Sequence, residues 1–420
     1  MRILEARDGF IRFESEEKVA LSSFLQIDGF RRYIAQVIKI TRLDLNYVGY
    51  AKLIFVYDGS LNEYDNSLPD VKSDVRPFSF DIFSKSMEAE TPVLSGHFLE
   101  DEIPLYLDRK CFDKKLLVSI DNPQNLEKLI ANLKQEFATL GNVLVIDTLG
   151  IMSGRKYTAS VDFKLPLNTE ALEFIYEDCL SDATSDSKSL VKEIFSDLAE
   201  YSKTVPFLPF ATLKTIVDDM VDHSHVFKLL VLKNKLMKFD NLGYFAKTSA
   251  EAENLGKILA MKDVVLDLSK LDSQFQNRYL SLVYSALTKL ETKPQVFVLA
   301  SNSINKKSLK TVLTTDEIPA VFATHSRFKY INEIKQMFTD FMVEPSFANN
   351  EVFKLYKTFL EAMPKDTYLI TGQGTNFIPL VSLNKEFVSH HDEIVIDETN
   401  EKNVVEQDFS ELEEALEITV

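Results

Sequence analysis

The period of the hydrophobic pattern changes along the chain. Over residues 1–78 the apolar positions come in short runs rich in Val, Ile, Phe and Tyr: Ile3–Ala6, Phe10–Phe13, Val19–Phe24, Arg32–Thr41 and Ala51–Tyr57. Asp-Gly pairs at 8–9, 28–29 and 58–59 punctuate them. Such pairs accept the left-handed backbone of a tight hairpin turn. Short strands at this spacing predict a small closed β-barrel, followed by a loop from Asp58 to Asp74.

From Ser95 the pattern turns to strand–helix alternation. Lys115–Ile120 reads as an apolar strand, and Asp121-Asn122-Pro123 as a helix start, with Asn122 the cap and Pro123 the first helical residue. Leu126, Leu129, Ile130, Leu133 and Phe137 make the buried stripe of that helix, Gly141 ends it, and Asn142–Asp147 is the next strand. This β-α-β unit predicts a parallel sheet. Residues 168–262 have helical periodicity, broken around Ser181–Ser189 and Pro206–Pro209. Strands are expected again at Val264–Leu268, Gln295–Ala300 and Ala320–Thr324, and helices at 272–290, 330–342 and Glu351–Met363. A terminal hairpin, Tyr368–Thr371 with Phe377–Val381, turns through Gly372-Gln373-Gly374.

Composition narrows the function classes. The 420 residues are 45% hydrophobic and 26% charged, as in ordinary globular proteins. Net charge is −17, so nucleic acid or an anionic membrane would not be bound by the overall field. Residues 391–420 hold eleven acids and one Lys, so most of that charge lies in a tail. Within the tail Val405, Phe409, Leu412 and Leu416 recur at helical spacing. Two readings stand: a solubilising tail, or a segment that docks on a protein partner. Cys111 and Cys179 form no C-x-x-C, which argues against a disulfide framework or a thiolate zinc site. The charged start, Met1-Arg2-Ile3-Leu4-Glu5, lacks a signal peptide's apolar run, and no apolar run approaches a membrane span. A soluble cytoplasmic protein is expected.

A small barrel, a β-α-β core, a helical insertion and a closing hairpin make a distinctive order. Several strands add local matches: Lys114-Lys115-Leu116-Leu117-Val118, Val143-Leu144-Val145-Ile146-Asp147 with Gly150 after it, Val264-Val265-Leu266-Asp267, Val298-Leu299-Ala300, and Phe322-Ala323-Thr324-His325-Ser326. Over residues 1–385 the chain resembles the HerA/FtsK-like ATPases, RecA-type motor proteins with an N-terminal barrel. The resemblance implies an α/β fold in which a small N-terminal β-barrel precedes a RecA-like, P-loop-NTPase-type, mainly parallel sheet with a helical insertion. The implied division is 1–78 barrel, 79–167 first part of the core, 168–262 helical insertion, 263–388 second part of the core, and 389–420 acidic tail. It also implies that Lys114–Val118 leads into the phosphate loop, that Val298–Ala300 is the Walker B strand, and that Phe322–Ser326 is the sensor strand.

The residues at those positions depart from the family. A phosphate loop needs glycines, because its N–H groups converge on the anion through backbone conformations other residues avoid. No glycine lies between Gly96 and Gly141, and the expected loop reads Ser119-Ile120-Asp121-Asn122-Pro123-Gln124-Asn125, without the motif's Lys or Ser/Thr. Asp121 sets a carboxylate where a phosphate would sit. The would-be Walker B strand ends Ala300-Ser301-Asn302-Ser303, with no acid to hold magnesium. The degenerate positions are therefore Ser119, Asp121, Asn122 and Pro123 in the loop, and Ala300 and Ser301 at the strand end.

Three readings follow. The first is a catalytically inactive homologue serving as scaffold or assembly subunit; it expects no cofactor, and as partner another protein, a further copy or an active paralogue. The second is a DNA-translocating ATPase with an unorthodox site, in which Lys114, Lys115 or Lys128 replaces the motif Lys and Asp147 or Asp267 holds metal. The third is a protein-binding module acting through its tail. Elsewhere, His223-x-His225 is poorly spaced for chelation on a helix, and His390-His391, at the start of the acidic tail, reads as an adventitious metal binder at most. Cys111 and Cys179 read as small buried hydrophobes. Arg327 reads as a surface or interface charge, and Lys306, Lys307 and Lys310 as a solvated helix face or a modest anion patch.

Overall fold

The computed structural model describes residues 1–43, 45–57, 61–78, 90–98, 104–113, 115–182, 185–223, 226–301, 304–315, 317–325, 335–375 and 378–383. They fall into two compact units, residues 1–136 with 323 onward, and residues 137–322. The acidic tail, with Val405, Phe409, Leu412 and Leu416, lies outside the described residues, as do His225, His390, His391, Lys114, Asn302, Ser303 and Arg327.

In the first unit, β1 (Arg2–Arg7), β2 (Phe10–Ser15), β3 (Phe24–Asp28), β4 (Arg32–Leu43), β5 (Asn46–Tyr57), β6 (Leu61–Glu63) and β7 (Asp74–Pro77) build an antiparallel sheet. Its order is β1-β2-β5-β4-β3-β7, with β6 on β5. Alternate residues of these strands, among them Ile11, Phe13, Leu25, Ile27, Val37 and Ala51, fill one core. Register shifts at Ile3/Glu5 in β1 and at Ile34/Ala35 and Val37/Lys39 in β4 curl the sheet. It stays a half-barrel: among the described residues no ladder joins the terminal strands β1 and β7, so the expected closure is not seen. The strand expected at Val19–Phe24 begins only at Phe24, because Ser22 takes a positive φ of 69°.

The same unit holds a mixed sheet segment of β10 (Leu116–Ser119), β16 (Asp340–Val343), β17 (Thr367–Gly372), β18 (Leu380–Leu383), β8 (Pro92–Phe98) and β9 (Pro104–Asp108), in that order. Only β10 and β16 are parallel; the remaining pairs are antiparallel. The terminal hairpin forms as β17 and β18 and extends to β8 and β9, two strands that the sequence pattern did not separate from loop. The helix expected at 330–342 is corrected at its end: residues 326–334 lie outside the described set, and Asp340–Val343 is strand β16, held on both sides by β10 and β17.

The second unit carries the parallel strands β12 (Lys156–Thr158), β13 (Val264–Asp267), β11 (Val143–Asp147) and β14 (Gln295–Ala300), in spatial order. β15 (Ala320–Thr324), whose first three residues belong to this unit, follows β14. β11, β13 and β14 are buried at every residue, which is why their sequences are unbroken apolar runs.

Helix α1 (Pro123–Ala138) follows β10, and its predicted stripe, from Leu126 to Phe137, is buried throughout. Helices α2 (Thr169–Asp182), α3 (Ser185–Ser202), α4 (Phe210–Asp222), α5 (Leu230–Leu242) and α6 (Ser249–Leu259) fill the expected helical segment. α7 (Ser273–Thr288) and α8 (Lys306–Thr314) complete the second unit, capped by the side chains of Asp272 and Asn305. In the first unit the stretch from Glu351 is helical but kinked at Phe353 before α9 (Lys357–Ala362).

Phe275 of α7 ties the helical segment to the sheet unit. Its ring lies 5.5 Å from that of Phe174 on α2, 5.2 Å from Phe239 on α5 and 4.3 Å from Tyr244. Phe275→Ala is expected to destabilise the chain by about 3–5 kcal/mol, since three elements lose one shared contact; chemical denaturation checks this.

Candidate functional site

The crossover from β10 to α1 is where a phosphate loop was expected, and its backbone donors can be accounted for one by one. Ile120 N–H donates to the Thr324 carbonyl at 3.0 Å. Asp121 N–H donates to the Glu344 carboxylate at 2.6 Å, and Asn122 N–H donates to the same carboxylate. Pro123 has no N–H. Gln124 and Asn125 N–H both donate to the Asn122 side chain, at 2.8 and 3.3 Å, and Leu126 N–H begins the helical ladder on the Asn122 carbonyl. No backbone donor of this turn is left over, and the demand of the helix start is met inside the chain; the buried Ser119 hydroxyl alone has no partner among the described residues.

Glu344 was not singled out in the sequence. It follows β16, whose Val343 pairs with Ser119, and its own N–H donates to the Ser119 carbonyl at 3.0 Å. The side chain is 6% exposed and also takes a hydrogen bond from Asn125. Burial raises its pKa above the ordinary 4.5; the hydrogen bonds from Asp121, Asn125 and Asn122 work against that, and the nearby Asp121 carboxylate adds to it. Ser119 is fully buried, while Asp121 and Pro123 are exposed and Asn122 is half-buried. Lys115 sits at the opposite end of β10, about 13 Å of strand from the crossover. Lys128 is a full turn inside α1.

In the second unit the C-terminal ends of β13, β11 and β14 lie side by side, with Asp267, Asp147 and Leu299 in register. Asp147 is completely buried. One of its oxygens, Oδ1, accepts from Leu149 N–H at 2.9 Å and Gly150 N–H at 2.8 Å, and Oδ2 accepts from Met152 N–H at 2.8 Å. Burial raises its pKa despite those three bonds and the Lys156 charge. Gly150 has φ +77°, and a Cβ there would meet the Ser269 hydroxyl at 2.8 Å, so the turn requires glycine. Asp267 accepts from Ser269 N–H at 2.9 Å and from its hydroxyl at 2.6 Å, and faces Lys156 Nζ at 3.6 Å. Both aspartates cap the turns after their own strands.

Ala300 is buried, and Ser301 N–H donates to the Thr148 hydroxyl at 3.3 Å. Among the described residues no three His, Cys, Asp or Glu side chains group closely enough to hold a metal ion, and no helix is long and apolar enough to cross a membrane. Cys111 is buried, with its thiol pushed up to about 12 mainly by desolvation, and Cys179 is buried too. Lys307 pairs with Glu177 at 3.3 Å, so part of the lysine cluster on α8 is neutralised.

No protein-family model matches the chain, and no curated protein does. Among solved structures, VirB4 of Thermoanaerobacter pseudethanolicus aligns with a TM-score of 0.52 at 11% identity, over 71% of this chain and 97% of that one. The bacterial conjugative coupling protein TrwB, in an unbound form, aligns with a TM-score of 0.49 at 12% identity, over 75% and 93%. The chain has a mixed α/β fold of the RecA-like, P-loop-ATPase type.

Two outcomes are expected. Because folded Glu344 keeps its proton at pH values where the unfolded chain has released it, its contribution to stability is present below 4.5 and is lost as pH rises through the raised value. The melting temperature of the wild type should therefore fall relative to Glu344→Gln between pH 4.5 and neutrality. Asp147→Ala should strand three N–H groups at about 1–3 kcal/mol each and be visible in denaturant melts.

Proposed function

We propose that this chain is a RecA-like fold without nucleotide chemistry, a catalytically inactive relative of the HerA-like ATPases that acts as a scaffold or assembly subunit. One observation carries the reading. Every N–H of the β10–α1 crossover is already spent, and the buried acceptor at its centre is the chain's own Glu344 carboxylate. A triphosphate brought there would meet a negative charge and no free backbone N–H.

Further support comes from the second unit. Ala300 and Ser301 offer no carboxylate for magnesium, and Asp147 and Asp267 spend theirs on local turns. On this reading Ser119, Asp121, Asn122 and Pro123 are a closed turn, no cofactor is required, and the partner is a protein: another copy or an active paralogue. Residues 168–262 are a helical insertion within a core of 79–167 and 263–388, which follows the N-terminal half-barrel in sequence. The tail, 389–420, either keeps the assembly soluble or docks through Val405, Phe409, Leu412 and Leu416.

Calorimetry with ATP and magnesium should give no binding heat at ligand concentrations of about 1 mM, the weak limit of nucleotide recognition. Micromolar affinity would overturn the proposal.

A further inference from the structure

On the helical part of the second unit, α3 and α4 leave an open groove of about 490 Å³ between them. Its floor is apolar, from Ile194, Leu198 and Tyr201 of α3 and Ile216 and Met220 of α4. The α3 stripe from Leu190 to Tyr201 runs about 16 Å, the length of three helical turns. Tyr201 is 50% exposed, and the short 3₁₀ turn Phe227–Leu229, whose Phe227 is 67% exposed, packs on α3.

The charges in the groove have one sign. Glu193 and Asp197 line it, one turn apart on α3, and neither has an ion-pair partner among the described residues. Like charges at this spacing work against the helix that bears them, so a counter-charge from outside would relieve them. Two occupants from this chain are disfavoured by the same electrostatics. The tail, with eleven acids and one Lys in residues 391–420, would add negative to negative, and a second copy of the groove would do likewise.

We infer that the α3–α4 groove is a docking site for an amphipathic helix of a partner protein, with an apolar stripe at i, i+3/i+4, i+7 flanked by Lys or Arg. The apolar stripe covers Tyr201 and Met220, and the cations pair with Glu193 and Asp197. The inference does not depend on the state of the nucleotide site.

The test uses the full chain and three fluorescein-labelled 18-residue peptides: a leucine-faced helix with lysine flanks, its glutamate-flanked counterpart, and a scramble of the lysine peptide that keeps composition but breaks the stripe. Fluorescence anisotropy at physiological salt should show saturable one-to-one binding of the lysine-flanked helix alone. The double variant Glu193→Lys, Asp197→Lys should weaken it about tenfold or more, and Tyr201→Ala about fivefold, with unchanged melting curves. Equal binding of the scrambled peptide, indifference to Tyr201→Ala, or no binding at all would overturn the inference. So would displacement of the peptide by a synthetic 391–420 segment, which makes the tail the occupant. A concentration-dependent dimer abolished by Tyr201→Ala would assign the groove to a second copy.

Discussion

The start of a helix that follows a parallel strand presents N–H groups that must be answered. The answer can come from a bound anion, cradled by glycines, or from acceptors within the chain. In this protein Asn122 and Glu344 supply it, so the turn closes on itself. Much else follows from that choice. Glu344 is held at the end of β16 so that its carboxylate reaches Asp121, and β16 in turn depends on the parallel ladder with β10. With donors and acceptor matched, non-glycine residues suffice between Gly96 and Gly141, and the turn keeps ordinary conformations that a phosphate nest would forbid.

The same logic governs the carboxylates of the second unit. The ends of neighbouring parallel strands are where α/β folds place reactive groups, and Asp147 and Asp267 stand there side by side. Their lone pairs are turned to backbone and serine donors, so the acids shape the connections that leave the sheet. A buried aspartate with three N–H partners is a structural group first: its removal opens the turn at Gly150 before it could reveal any chemistry.

Much of the fold was legible, for reasons that can be named. β11, β13 and β14 are unbroken apolar runs because they are buried on both faces, and the cap formed by Asn122 is written locally in Asn-Pro at a helix start. Where reading failed, a non-local contact decided. Asp340–Val343 shares its apolar residues with a helical pattern, and only pairing with β10 and β17 makes it a strand. β8 and β9 exist because β18 offers them an edge. Among the described residues no ladder closes the half-barrel between β1 and β7, and no turn signal bears on that closure. At the crossover the missing glycines were plain, but the carboxylate that takes the Asp121 N–H is 223 positions away in sequence and carries no local signature.

Cys111 is walled in by Gly374, where even a single added methyl carbon would come within 2.0 Å of its sulfur. Cys179 is equally enclosed, on α2. Each compact unit therefore contains one sealed thiol and no other. A reagent that alkylates sulfur sees neither until its surroundings come apart, which turns the pair into native clocks for the separate opening of the two halves.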